Sequence, residues 1–186
     1  MKIRKVLLLI ILFFNPFFGI QAQVINSSYV TQFGEKALQF YIIVPTKKVE
    51  VWKLFTTENG LEKWIAPVVK TNIKIGGWIK TNYDKTKTTE DKTAIQLDII
   101  NYLEKEMLTL KVNLNDNFPQ EAKNEDKNLQ EIIQFIDIGK GKTKIVSTMV
   151  GWGQGSHWDK VYTFFEKGNE WTYNELLKLF KDTTSN

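Results

Sequence analysis

Alternation of apolar and polar residues governs most of this chain, and the points where it yields to a helical period mark out the elements. Lys36–Val44 places Leu38, Phe40, Ile42 and Val44 at every second position, which predicts a strand with one buried face. Pro45 and Thr46 end it, and Thr46 is placed to cap a helix over residues 47–55 that offers Val51, Leu54 and Phe55 to one side. A second short helix follows over 57–64, weakened by Gly60.

From Val68 the alternation returns and holds to Val150. Segments 68–75 and 78–84 flank Gly76-Gly77, a hairpin signal. A three-residue loop with a bulge at Trp78 pairs Ile75 with Ile79, Ile73 with Thr81 and Thr71 with Tyr83. Residues 93–103 and 107–114 read as half-buried antiparallel strands. So do 129–138 and Thr143–Val150, joined by the turn sequence GKGK. Between them, the charged segment 115–128 reads as a long loop containing Phe118-Pro119. Polar residues 23–34 lack a period and read as a spacer. The order is strand, two short helices, six strands, long helix. An α+β fold follows, with a curved seven-stranded antiparallel sheet whose concave face the last helix covers.

That last helix opens after Gly151-x-Gly153-x-Gly155, with Ser156 placed as its cap. Trp158, Tyr162, Phe165, Asn169, Thr172, Leu176 and Leu179 share one stripe, bulky at the ends and small or polar in the middle. Gly168 costs roughly 1 kcal/mol against alanine in a helix interior, so something should compensate. Two explanations stand. Either Gly168 lets the helix lie close on the sheet while Asn169 satisfies a backbone group, or the thinned middle spans a ligand cavity. Phe164 and Trp171 lie off the stripe and are expected to pack under the short helices.

The N-terminus changes the compartment. Residues 1–22 combine a basic start (Lys2, Arg4, Lys5), an apolar run and a small residue, Ala22, at a cleavage point, which predicts a signal peptide and a periplasmic or secreted domain over 35–183. The apolar run, broken at Asn15-Pro16, is short for a spanning helix, so no stable membrane insertion is expected after cleavage. Without cysteine there is neither a lipidated anchor nor a disulfide, and the fold rests on its core. Three of the four net positive charges belong to the leader, so the remainder is near neutral and no nucleic-acid partner is expected.

Three strings, VWKLFTTENGLEKWIAP, IKIGGWIKTNYD and GWGQGSHWDKVYTFFEKGNEWTYNELLKLF, resemble in this order the SRPBCC (START-like) superfamily, in particular its branch similar to the activator of the heat-shock protein 90 ATPase. The resemblance spans about residues 35–181 and implies a helix-grip fold, a bent sheet wrapped around a long C-terminal helix with an internal cavity. Trp64, Gly76-Gly77, Gly151, Gly153 and Gly168-Asn169 match its marks, which are largely structural. The leader and the charged insertion after Leu114 depart from its cytosolic members.

Catalytic motifs are sparse. The glycine loop lacks the second parallel strand of a dinucleotide fold, and His157 is the single histidine, which removes most hydrolytic triads and zinc sites. No catalytic residue, cofactor or metal site is assigned. Asp98, Glu131 and Asp137 lie within strands, where an inward carboxylate with a raised pKa could act as acid or base, but in a chain this rich in Lys and Glu they are expected on the solvated outer face. The leading expectation is a binding protein for a small apolar ligand lined by Trp64, Tyr83, Phe118, Phe135, Trp158, Tyr162, Phe165, Asn169 and Thr172. A cyclase- or aldolase-like enzyme using the same pocket requires a shielded ionisable group there. A partner-binding, co-chaperone-like module is the third reading, which export opposes.

Overall fold

The computed structural model describes residues 23–181, and the leader expected at 1–22 lies outside the described residues. Along the chain run β1 (Ile25–Asn26), β2 (Tyr29–Val30), β3 (Lys36–Val44), α1 (Lys48–Thr56), α2 (Glu58–Glu62), β4 (Val68–Asn72), β5 (Trp78–Asn82), β6 (Ile95–Leu103), β7 (Met107–Asn113), α3 (Gln120–Glu125), β8 (Gln130–Asp137), β9 (Thr143–Val150) and α4 (Ser156–Lys178). The strands form one antiparallel sheet in the order β1-β3-β9-β8-β7-β6-β5-β4, with β2 also on β3. Strands β4 to β9 thus neighbour each other in chain order, and the β3–β9 pairing joins the beginning of the domain to its end.

Register puts one row of side chains on the concave face. Leu38, Phe40 and Ile42 stand opposite Met149, Ser147 and Ile145. These three stand opposite Glu131, Ile133 and Phe135 on β8, whose first two pair with Leu110 and Leu108 on β7. A slip of one residue at any pair would turn that strand's row to solvent, so burial of this face fixes the alignment. Helix α1 closes one end of the trough, where Phe135 meets Trp52 at 5.5 Å and Phe55 at 5.1 Å between ring centroids.

Several expectations change. The described residues hold nine strands, because the stretch read as a spacer contributes β1 and β2 to the free edge of β3. Two residues between them, Ser27 and Ser28, bond Gln39 instead: the Ser27 N–H donates to its carbonyl and its N–H donates to Ser28 Oγ. Strands this short give little periodic signal. The hairpin at Gly76-Gly77 takes another register, with Thr71 opposite Ile79, Asn72 opposite Trp78, no bulge at Trp78, and Ile75 exposed. The third strand decides this. Gly76 N–H donates to the Ile99 carbonyl, and Ile99 N–H donates to that of Gly77, so the glycines extend the β5–β6 ladder. A Cβ on Gly77 would stand 1.9 Å from the Asn72 carbonyl oxygen.

Neither proposed cap forms. Thr46 accepts on its carbonyl from Thr143 Oγ1 at 2.8 Å, and Lys47 precedes α1 without a side-chain cap. Ser156 is the first residue of α4, and Gly155, at φ +97°, stands before it. Thr57 instead caps α2, accepting from the Gly60 N–H at 3.0 Å. Gly60 also permits the two helices to meet, since a Cβ there would lie 2.2 Å from the Lys53 carbonyl oxygen.

Candidate functional site

Between α4, the α2–β4 connection and strands β5 to β9 lies a cavity of about 90 Å³. The sheet supplies an aliphatic floor that includes Leu97, Leu108, Leu110, Val112 and Ile133, Phe55 and Trp64 form one wall, and Phe165, Asn169, Thr172 and Tyr173 of α4 form the roof. This is below the roughly 300–1,000 Å³ of drug-sized pockets. The resting shape admits a few waters or one compact molecule, and a larger guest requires the roof to shift. Two wider hollows, of about 560 and 710 Å³, are grooves on the outside, one against α1 and α2, the other beside the 151–155 loop.

Glycine 168 does not serve close packing, because a Cβ there would meet nothing within 4 Å. Asn169 does not serve a backbone group either; its Nδ2 approaches Met149 Sδ at 3.2 Å on the cavity's floor. Asn169 and Thr172 border the void, whereas Gly168 itself is not part of its lining. Thr172, one turn on, donates its hydroxyl to the Gly168 carbonyl at 2.7 Å. The buried line of α4 is rotated slightly from the predicted stripe: Val161, Tyr173 and Leu177 join Trp158 and Leu176 inside, while Leu179 is exposed.

Of the nine residues proposed for the lining, Trp64, Tyr83, Phe165, Asn169 and Thr172 border the cavity. Trp64 is fixed by donation of its indole N–H to the Leu54 carbonyl at 3.0 Å and by stacking on Tyr173. Tyr83 is half exposed at the rim beside Trp171. The other four lie elsewhere. Phe135 is buried under α1, and Tyr162 packs on Trp152. Trp158 is buried near the start of α4 and donates its indole N–H to Glu125 Oε2 at 2.9 Å, an oxygen that also meets His157 Nε2 at 2.8 Å. Phe118 stacks on Phe165 at 5.4 Å, behind the roof, and touches Phe164. The segment around it is not a plain loop, since α3 forms there and docks on α4. Phe164 and Trp171 are half exposed and do not pack under α1 and α2.

Glu131 is the polar feature of the interior. Its neighbours on β8, Ile133 and Phe135, show which parity points inward, and position 131 shares it. Ser147 Oγ donates to Glu131 Oε1 at 2.5 Å and the Tyr173 hydroxyl donates to the same oxygen at 3.0 Å. Part of Glu131 remains accessible, through the cavity it lines, yet desolvation by the surrounding protein outweighs both bonds and pushes its pKa up. Tyr173 is raised well above the ordinary tyrosine value, first by burial and then by the charge of Glu131. Asp98 and Asp137, the other strand acids considered, do not border the cavity. Among the described residues no cluster of three or more His, Cys, Asp or Glu could hold a metal ion. Nor is any helix among them long and apolar enough to cross a membrane.

A bent antiparallel sheet gripping one long C-terminal helix over an apolar hollow defines a helix-grip protein. The family model described as "Activator of Hsp90 ATPase homolog 1-like protein" matches residues 45–181, and the chain belongs to that family. Solved structures share the fold at low identity. A conserved protein of unknown function from Enterococcus faecalis aligns with TM-score 0.60 and 9% identity over 83% of this chain and 75% of its own. The Aha1 dimer from Colwellia psychrerythraea gives 0.56 and 14% over 77% and 92%. An HSP90 activator from Plasmodium falciparum gives 0.53 and 12% over 77% and 95%. A search of curated proteins returns no match.

Proposed function

We propose that the protein is an exported binder of a small, mostly apolar molecule held between the sheet and α4. The observation that carries this reading is a cavity of aliphatic and aromatic side chains that keeps a single carboxyl, Glu131, in its wall. Burying an acid there is costly, and a leucine at this position would pack at less cost, so its retention argues for a use. Apolar contact supplies affinity, and the few polar groups orient the guest. Export rests on the basic and apolar pattern of residues 1–22.

Native mass spectrometry of the protein purified from its own host tests both parts. The expected result is a mature chain beginning at Gln23 with a small molecule retained. A clean apo mass, together with no uptake of an apolar fluorescent dye, overturns the binding role, and an unprocessed cytoplasmic chain overturns export and favours a co-chaperone-like role. A second reading has its own support: Glu131 is the shielded ionisable group that an acid–base enzyme of the cyclase or aldolase kind requires. Conversion of the retained molecule by wild type and not by Glu131→Gln would move the protein into that class.

A further inference from the structure

The two oxygens of Glu131 are not equivalent. Both protein donors, from Ser147 and Tyr173, end on Oε1, and among the described residues none reaches Oε2. Among the described residues no buried side-chain oxygen or nitrogen lacks a hydrogen-bond partner, so Oε2 reaches accessible space, and the space that Glu131 borders is the cavity. Among the described residues no lysine, arginine or histidine lines that cavity. A carboxylate there would have no cation to offset it. A neutral acid suits the geometry, because an oxygen already accepting two O–H donors does not carry the proton, which leaves the proton on the oxygen facing the void.

We propose that Glu131 presents its Oε2–H to the cavity as a hydrogen-bond donor, and that the ligand is a compact apolar molecule with one oxygen acceptor, a ketone, ester or ether, seated against it. This rests on the binding role proposed above and names the chemistry of its guest. The floor around Glu131 is apolar, Leu110 on β7 and the thioether of Met149 on β9, and the nearby polar groups of the roof are already engaged, Asn169 with Met149 Sδ and Thr172 with the Gly168 carbonyl. The titratable groups that face Glu131 are Tyr173 of α4 and Tyr83 just after β5, both pushed up first of all by burial and so neutral around pH 7. Desolvation favours the same protonated form.

Three probes matched in size test this by NMR titration of the protein: cyclohexanone, methylcyclohexane and cyclohexylamine. At about pH 5, just above the free glutamate value, cyclohexanone should bind roughly fivefold or more tightly than methylcyclohexane, the worth of one net hydrogen bond. The advantage should fade as the pH is raised through the titration of Glu131, while methylcyclohexane stays unaffected. Glu131→Gln offers the cavity an N–H donor in place of the O–H, and its amide oxygen still accepts from Ser147 and Tyr173, so it should keep the ketone preference at every pH. Equal affinity for the ketone and the hydrocarbon overturns the inference and leaves ligand binding standing. Preferred binding of the ammonium probe also overturns it, by making the group a carboxylate. No binding of any probe overturns both readings. The ¹³C shift of the Glu131 carboxyl in wild type needs no variant, and a titration midpoint at or below the free glutamate value is equally fatal.

Discussion

At the scale of single residues, an acid set into hydrocarbon makes folding depend on pH in an unusual direction. The pKa of Glu131 is raised on folding, so its contribution to stability is complete below the unfolded value and is lost as the pH climbs through the folded one. Glu131→Gln removes that titration. Urea midpoints should therefore diverge in favour of the variant as the pH is raised from about 4 to 8, starting from the ordinary glutamate range. The glycines supply a second contrast. Gly60→Ala drives a methyl into the Lys53 carbonyl and should cost about 1–3 kcal/mol, as overpacking does. Gly168→Ala meets open space and should stabilise by up to about 1 kcal/mol through helix propensity. Thermal or urea denaturation of both variants checks the pair, and the same sign for the two would mean that the roof is packed differently.

Among the elements, the segment between β7 and β8 carries more structure than its charge suggests. Lys111 on β7 reaches across to Asp126 at 2.6 Å and also donates to the Val112 and Leu129 carbonyls, while Asp126 Oδ1 accepts from the Leu129 N–H. The Asp126 side chain is 7% exposed, so the pair is shielded on that side. Lys111→Met leaves this acid without its cation and should cost about 3 kcal/mol, the lower end for breaking a buried pair. Hydrogen exchange should then quicken first in α3. A uniform rise across the whole sheet would show instead that the segment does not move as its own unit.

For the whole molecule, the first strands guard an edge. β1 and β2 occupy the side of β3 that β9 leaves free. Removing residues 23–34 uncovers that row of backbone donors and acceptors, which invites pairing between copies. Light scattering should show an average mass that rises with concentration for the truncated chain more steeply than for the full one. An unchanged profile would mean that side chains alone protect β3.

The sequence by itself determined the path of the chain. Period-two alternation located β3 and β9 to the residue and the other long strands to within a few positions, because a sheet buried on one face must alternate. The long helix and the weak middle of its stripe were legible from the 3.6-residue period, whereas Glu131 was one of three strand acids expected on the solvated face, and only the fold turned it inward. What a local pattern does not hold is which strand bonds a loop, so the register at Gly76-Gly77 came from Ile99, more than twenty residues away. The lining itself was decided by tertiary structure. A helix stripe gives the side on which aromatics point but not their depth along the trough, and so Trp64 and Phe165 meet the hollow while Phe118, Phe135, Trp158 and Tyr162 pack beside it. Only the folded sheet brought Glu131, Ser147 and Tyr173 together, since a hydrogen-bonded cluster is assembled from strands and a helix that distance in sequence keeps apart.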